Sequence, residues 1–307
     1  MPLLMSLGTE ATTYGGRRYL IPGLPMFNDG DDFILSDVDG WEDPAAPDAV
    51  LVANGGGPGS VASSVWLPKE RAVTVSGVVT VPNDQQAGIR RLLLQAFPAD
   101  REQPLIGYAN GSSDVDTQLF VRRYDRPTFQ RLPTYMEFSF PLVAADPFKY
   151  ALEPLAGTMG VWTGEDWYLS MSTSSGAWYV QMDSSWSVSL VQDVPDGPYP
   201  VSLTLDSDGD TSSQRITASI TGPLAAGDWY LWSETTGAQL WAEVGVTADQ
   251  TLVLDSFTKT ATLSGSDVSY LTYGDWLTLE PGSNSFRLVA GSDSDAFCQL
   301  SALPAYE

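Results

Sequence analysis

Only one stretch of this 307-residue chain carries the spacing of an amphipathic helix. Ile89, Leu92, Leu93, Ala96 and Phe97 recur at i, i+3 and i+4, while Arg90, Arg91 and Gln95 fall off that face. Asn83 or Asp84 is placed to cap the first turn and Pro98 to stop the last, which predicts a helix over about 84–97. The other patterned segments alternate apolar and polar residues with period two, or are short apolar runs between Gly, Pro, Asp and Ser turns. Such a chain can bury its apolar side chains only between sheets, so the expected class is mostly β.

The clearest strand is 71–81. Val73, Val75, Val79 and Val81 face one way, Thr74, Ser76 and Thr80 the other, and Gly77 sits where another backbone can approach closely. Further strands are predicted at 104–108, 118–123 and 135–143. In the last, Met136, Phe138, Phe140 and Leu142 alternate with polar neighbours, and Pro141, which has no N–H to give, predicts an edge or a bulge. Residues 40–59 hold Pro44, Pro47, Pro58 and Gly55-Gly56-Gly57. They read as a long surface loop or as an arm reaching a neighbouring subunit. From 151 onward no helix is expected, and short strands follow at 178–182, 186–190, 201–205, 215–220, 229–232, 240–244, 251–254, 258–263, 276–279, 286–289 and 297–300, the pattern of a β-sandwich.

The charge divides near the same place. Residues 1–150 hold 12 of the 15 Lys+Arg and 18 of the 38 Asp+Glu; residues 151–307 hold 3 and 20. The expectation is two domains, 1–150 and 151–307. A net charge of −23 argues against nucleic acid and against an anionic membrane surface as partners. No apolar run reaches about 18 residues, so no membrane insertion is expected. Residues 1–7 lack the positive start of a signal peptide, which suggests a chain made and folded in a reducing cytoplasm.

The chain has no histidine and a single cysteine, Cys298. That removes the Ser-His-Asp triad, the Cys-His pair, His-ligated metals and any intrachain disulfide. Phosphate loops, dinucleotide fingerprints and nucleophile elbows are missing too. A carboxylate pair of the glycosidase kind stays open on the count of acids, but no acid sits where a raised pKa is expected. We therefore assign no catalytic residue, no cofactor and no metal. The run Asp206-Ser207-Asp208-Gly209-Asp210 looks like the start of a calcium loop, but its Gly comes two positions early and Thr217 stands where the bidentate Glu belongs, so a turn fits better; Asp293 and Asp295 read the same way.

Eight of the ten Trp lie in the second half. They read as sandwich core and subunit contacts, or as a platform on which sugar rings stack. Trp162, Trp167 and Trp178 are the candidates for exposed stacking because their segment is Ser/Gly-rich. Arg122, Arg123, Arg126 and Arg131 gather in an acidic chain. A phosphate site is one reading, ion pairing within the chain or with a neighbouring copy the other.

Taken in order, these segments resemble the distal tail proteins of long-tailed, non-contractile phages. In the first half the resemblance rests on the strand around Gly77, the helix, the Pro104-Leu105-Ile106 strand and the exit Asp146-Pro147-Phe148-Lys149-Tyr150. In the second half it rests on Asp208-Gly209-Asp210, Thr221-Gly222-Pro223, Thr236-Gly237-Ala238-Gln239-Leu240, the hairpin from Leu252 to Leu263, and Leu279-Glu280-Pro281-Gly282-Ser283-Asn284. Residues 159–200, rich in Trp and Ser, match nothing in that pattern.

The resemblance implies a ring-forming N-terminal β-barrel-like domain with one helix, followed by a galectin-like β-sandwich. It implies a structural, non-enzymatic virion protein of the tail tip, assembled in the host cytoplasm. It further implies a homo-oligomeric ring, expected to be a hexamer, between the tail tube protein and the tail-tip hub protein, carrying receptor-binding components. The alternative is a tail-tip adhesin that binds host cell-wall glycan through exposed Trp residues, although the sugar site of galectins relies on a histidine that this chain lacks.

Overall fold

The computed structural model describes residues 8–12, 18–22, 33–43, 47–48, 51–53, 60–62, 67–108, 115–162, 167–173, 176–182, 188–191, 200–291 and 295–307. The chain forms two compact units, one of residues 1–152 with Tyr306–Glu307 and one of residues 153–305.

In the first unit the strands are β1 (Gly8–Thr12), β2 (Arg18–Pro22), β3 (Phe33–Asp39), β4 (Pro47–Asp48), β5 (Leu51–Ala53), β6 (Ser60–Ala62), β7 (Leu67–Pro68) and β8 (Arg71–Val79). After helix α1 (Gln86–Ala96) come β9 (Gln103–Tyr108), β10 (Thr117–Arg123), β11 (Thr128–Arg131), β12 (Met136–Ala144) and β13 (Lys149–Ala151). The main sheet runs β1-β2-β9-β10-β12-β8-β3, with β11 also on β12. Its end strands β1 and β3 meet, so the sheet curls toward closure.

Strand β8 fits between β12 and β3 because its inward residues are either β-branched or absent. Val73, Val75 and Val79 are buried, and Gly77 leaves room where two neighbours press in: a Cβ there would lie 2.6 Å from the Ile34 carbonyl oxygen and 2.6 Å from the Phe138 ring. Across it, β12 sends in Met136, Phe138, Phe140 and Leu142, as its alternation predicts. Phe140 is the hub of an aromatic cluster, with ring centroids 5.1 Å from Phe97, 5.6 Å from Phe129 and 6.0 Å from Phe138.

Helix α1 closes the interior with Ile89, Leu93, Ala96 and the following Phe97, each large apolar side chain contributing about 1.5–3 kcal/mol. The helix begins at Gln86, later than expected, and neither Asn83 nor Asp84 caps it: Gln85 stands at the cap with no side-chain bond. Instead Pro82 accepts the Gln85 N–H at 3.0 Å in a turn, and the buried Gln86 amide donates to the carbonyls of Leu132 (2.6 Å) and Tyr135 (3.2 Å). A tertiary anchor replaces the local cap.

The stretch 40–59 is not loop throughout. Pro47 and Asp48 pair with Pro68 and Leu67, and Leu51–Ala53 pair with Ser60–Ala62, forming two short antiparallel ladders. Pro141 does mark a bulge. Arg123 lies opposite Leu142 and Thr128 opposite Ser139, so the four residues 124–127 face only Phe140 and Pro141. Arg71, at 3 % exposure, donates from Nη1 to the Trp41 carbonyl at 2.9 Å; burial lowers its pKa while Glu307, Glu42 and Asp43 raise it.

The second unit continues with β14 (Leu155–Trp162), β15 (Trp167–Thr173), β16 (Gly176–Met182), β17 (Val188–Val191), β18 (Leu203–Ser207), β19 (Ile216–Thr221), β20 (Trp229–Ser233) and β21 (Gln239–Ala242). After these come β22 (Thr251–Asp255), β23 (Thr260–Leu263), β24 (Ser266–Asp267), β25 (Thr272–Gly274), β26 (Gly282–Ala290) and β27 (Phe297–Ala302); the last strand, β28 (Ala305–Tyr306), pairs with β13 in the first sheet. The large sheet runs β24-β23-β22-β19-β27-β14-β26-β20-β21-β25, with β18 also on β26, and β15-β16-β17 make a separate small sheet. It curls around a core that includes Met159, Ile220, Trp229, Leu231, Leu252, Phe286, Leu288 and Cys298.

The turns seen in the sequence are the joints of this sheet. Asn284, fully buried, accepts from Glu280 N–H at 2.8 Å and donates to the Glu280 and Gly282 carbonyls at 2.7 and 2.9 Å, closing the turn into β26. Gly282 (φ 88°) supplies the left-handed backbone there. Residues 276–279, expected as a strand, form only an isolated bridge from Leu279 to Ser213. The neighbouring strand is β25, and Gly274 (φ 96°) ends it. Leu277 and Leu279 are buried as the alternation requires, but no partner strand runs beside them.

Replacing Gly77 with Ala forces a methyl group between Ile34 and Phe138. The variant is expected to lose about 1–3 kcal/mol, read by calorimetry as a lower midpoint for the first unit with the second unit unchanged. A Gly77→Ala chain as stable as the parent would show that β3 or Phe138 gives way freely.

Candidate functional site

The described residues offer no reactive nucleophile. Cys298 is fully buried in the second core, and burial pushes its thiol up to about 12. Two exposed carboxylates move the opposite way from a catalytic acid. Asp249 is held low by the Thr247 hydroxyl and by backbone bonding, Asp267 by the hydroxyl and N–H of Ser269. No group of three or more His, Cys, Asp or Glu among the described residues could hold a metal ion. Asp206 and Ser207 end β18, and the Ser207 hydroxyl accepts the Gly209 N–H at 3.3 Å, a turn. Asp293 lies outside the described residues.

What remains is surface, and two parts of it stand out. The first is the β10–β11 bulge. Arg122 and Arg123 end β10, Arg126 lies in the bulge and Arg131 ends β11. Arg122, Arg126 and Arg131 are exposed and Arg123 is half-buried. None makes an ion pair with a described residue. Tyr124, 60 % exposed, projects beside them, and the Arg126 N–H donates to Asp125 at 2.6 Å. Arg131 stands five residues beyond Arg126, roughly 16 Å along an extended chain. The four are strung along the chain from β10 through the bulge to β11 and do not converge on a pocket: Arg122 lies opposite outward-facing Val143, whereas Arg131 lies opposite the buried Met136. On the far side of β11 no described strand pairs.

The second is the outward face of the β14-β26-β20-β21-β25 half of the large sheet. Trp229 and Leu231 point into the core, so Tyr230 and Trp232 point out; Leu240 and Ala242 point in, so Gln239 and Trp241 point out. Trp162 stacks on Trp232 with ring centroids 6.4 Å apart and planes at 27°. Trp241 stacks on Tyr273 at 6.3 Å and 26°. The Arg287 guanidinium lies 4.6 Å from the Trp162 ring centroid, a cation–π contact. Its Nε is 2.9 Å from Glu234 Oε1, but the N–H is not aimed at the oxygen, so the two groups attract as an ion pair and not as a hydrogen bond.

Of the three Trp singled out in the sequence, Trp162 is thus half-buried and engaged with Trp232 and Arg287. Trp167 and Trp178 lie in paired strands, opposite Met182 and Met171, and their side chains fall outside the described part of the structure. Trp232, Trp241, Tyr230 and Tyr273 were not singled out. The signal was the alternation itself: in Trp229-Tyr230-Leu231-Trp232 one aromatic pair must face out if Leu231 faces in.

The two curled sheets, one closed by a single helix, define a fold known from phage tail tips. The chain shares this fold with the Dit protein of phage SPP1, described as a paradigm of the hub adsorption apparatus of phages infecting Gram-positive bacteria. The two are 12 % identical, and the match covers 88 % of this chain and 93 % of that one at a TM-score of 0.54. A chain of the phage P2 baseplate, in its activated conformation with Ca, matches at 8 % identity over 88 % and 90 % of the two chains with a TM-score of 0.46. No protein-family model matches, and no curated protein matches in sequence.

A thiol reagent tests the placement of Cys298. A rise from 9.0 to about 12 leaves a thiolate fraction roughly a thousandfold smaller than in an ordinary thiol at pH 8. The folded chain is therefore expected to be inert to dithionitrobenzoate, with one equivalent reacting after denaturation. Fast labelling of the native chain would place the cysteine outside the core.

Proposed function

We propose that the chain is a structural component of a phage tail tip, a distal tail protein that joins the tail tube to the tail-tip hub and carries receptor-binding parts. The observation that carries this reading is the fold shared with SPP1 Dit across both units, over 88 % of the chain. The working state is a closed ring of identical copies, expected to be a hexamer, built into the virion.

The arginine line supports self-association. A chain with 38 acids and 15 bases repels its copies unless its cations are placed where acids of the next copy can meet them. Arg122, Arg126 and Arg131 are exposed without an ion-pair partner among the described residues, and Tyr124 beside them adds the Tyr–Arg composition that dominates binding hot spots. The β4–β7 and β5–β6 ladders fit an arm that could extend such a contact. The role needs no catalytic group: strand pairing and side-chain packing between copies do the work.

Light scattering of the purified chain followed by negative-stain imaging tests this. The expected result is a ring with a central hole and six times the 33.1 kDa of one chain. The Arg122→Glu/Arg126→Glu double variant should fall apart to monomers while melting like the parent, and salt should weaken the parent ring. A parent chain that stays monomeric at every concentration would overturn the ring.

A further inference from the structure

We infer that the outward face of the β14-β26-β20-β21-β25 sheet is a binding site for a neutral glycan chain. This inference is independent of the tail-tip reading.

The sheet register lines the rings up. Trp162 and Tyr230 both flank Val289, and Trp241 lies opposite Tyr273. Leu231 pairs with Leu240, which sets Tyr230 beside Trp241. Four of the five strands thus give an aromatic ring to one row, and the fifth gives Val289, itself 7 % exposed beneath its neighbours. Across five strands at about 4.8 Å per step the row spans roughly 19 Å. A second row beside it holds Arg287, Trp232 and Gln239. Cross-strand stacking accounts for a single pair of rings. It does not account for a row carried over the whole face that leaves Trp241 at 37 % and Tyr273 at 42 % exposure.

The chemistry of the face selects the occupant. Among the described residues its exposed apolar surface is ring surface, with no exposed Leu, Ile or Met of the kind that fills a protein–protein contact. Between the rings stand hydrogen-bonding groups: the Tyr230 and Tyr273 hydroxyls, the exposed Gln239 amide, and Arg287 held by Glu234, whose second oxygen accepts from Ser285 at 2.5 Å. Rings that cover C–H surface, with fixed donors and acceptors between them, match a pyranose, which is apolar on its faces and hydroxylated at its rim. The long, open row fits a polymer and not a small closed ligand. Charge excludes the anionic polymers, because residues 151–307 carry 20 acids against 3 bases.

The test is titration of the full chain with chitotetraose, cellotetraose, maltotetraose and dextran, read by tryptophan fluorescence and calorimetry, with polygalacturonate as the anionic comparison. Saturable binding of at least one neutral probe is expected, insensitive to salt, with polygalacturonate inert. Trp232→Ala and Trp241→Ala should each weaken it about tenfold or more, and Trp232→Phe, which keeps a ring, should restore most of it. These side chains lie outside the core, so both variants should still unfold cooperatively, which calorimetry checks. No saturable binding of any neutral probe would overturn the inference, as would a preference for polygalacturonate or alanine variants that bind like the parent. Alanine variants that lose self-association while the parent binds no glycan would overturn it too, and would assign the face to a protein contact.

Discussion

The ladder between Arg71–Val79 and Met136–Ala144 is registered residue for residue over nine positions, and the first unit is arranged around it. Antiparallel pairing satisfies the backbone polar groups of both strands, which is what allows them to sit in the interior. Because both strands keep strict alternation, one register decides that Val73, Val75 and Val79 meet Phe138, Phe140 and Leu142 on the same side. Shifting β12 by one residue against β8 would turn Ser139 and Glu137 inward. Gly77 then sets how closely β3 and Phe138 approach, and helix α1 covers what the sheet leaves open. The arginine bulge depends on the same strand. It exists because Pro141 interrupts the ladder on the other edge of β12, where four residues must loop past two.

The second unit applies the same rule with a different outcome. Its inward residues build a mainly aliphatic core with two buried rings, Phe286 and Trp229, and the Trp229 indole N–H reaches the Val244 carbonyl at 3.3 Å. Its outward residues on β20, β21 and β25 are aromatic except for Gln239. A sheet with one face buried must expose the other, and proteins usually fill that face with charged and small polar groups. Here the centre of the face holds the Arg287–Glu234 pair beside the Trp162 ring, and the exposed carboxylates Glu243 and Asp275 stand just past the ends of β21 and β25. A cation over the ring and an anion beside the cation fix that central part of the face electrically neutral within an acidic unit.

Strand alternation and turn chemistry made much of this legible in the sequence. Val73 to Val79, Met136 to Leu142, the hairpin from Leu252 to Leu263 and the Pro281-Gly282 turn could be read because local pattern and tertiary context agree there. The misreadings fall where tertiary context decides. Asn83 and Asp84 are good caps, yet Gln86 finds carbonyls at Leu132 and Tyr135, more than forty residues away, that no local window contains. Residues 276–279 alternate like a strand, but alternation reports burial and not pairing; Leu277 and Leu279 are buried with only the Ser213 bridge beside them. Similarly, composition identified the Trp-rich half, and only register could say which rings share a face.

The unequal division of charge constrains how the two units can work together in an assembly. With 20 acids and 3 bases, residues 151–307 cannot attract copies of themselves through charge. Residues 1–150 carry most of the cations, and the exposed ones at 122, 126 and 131 stand along the β10–β11 segment without an ion-pair partner among the described residues. Any electrostatic holding between copies must therefore run through the first unit, with acids of either unit as acceptors. If the copies assemble in this way, mutual repulsion would keep the second units apart and leave their aromatic face open to an uncharged ligand. On the proposed reading, the asymmetry that brings the first units together also keeps the binding face of the second free.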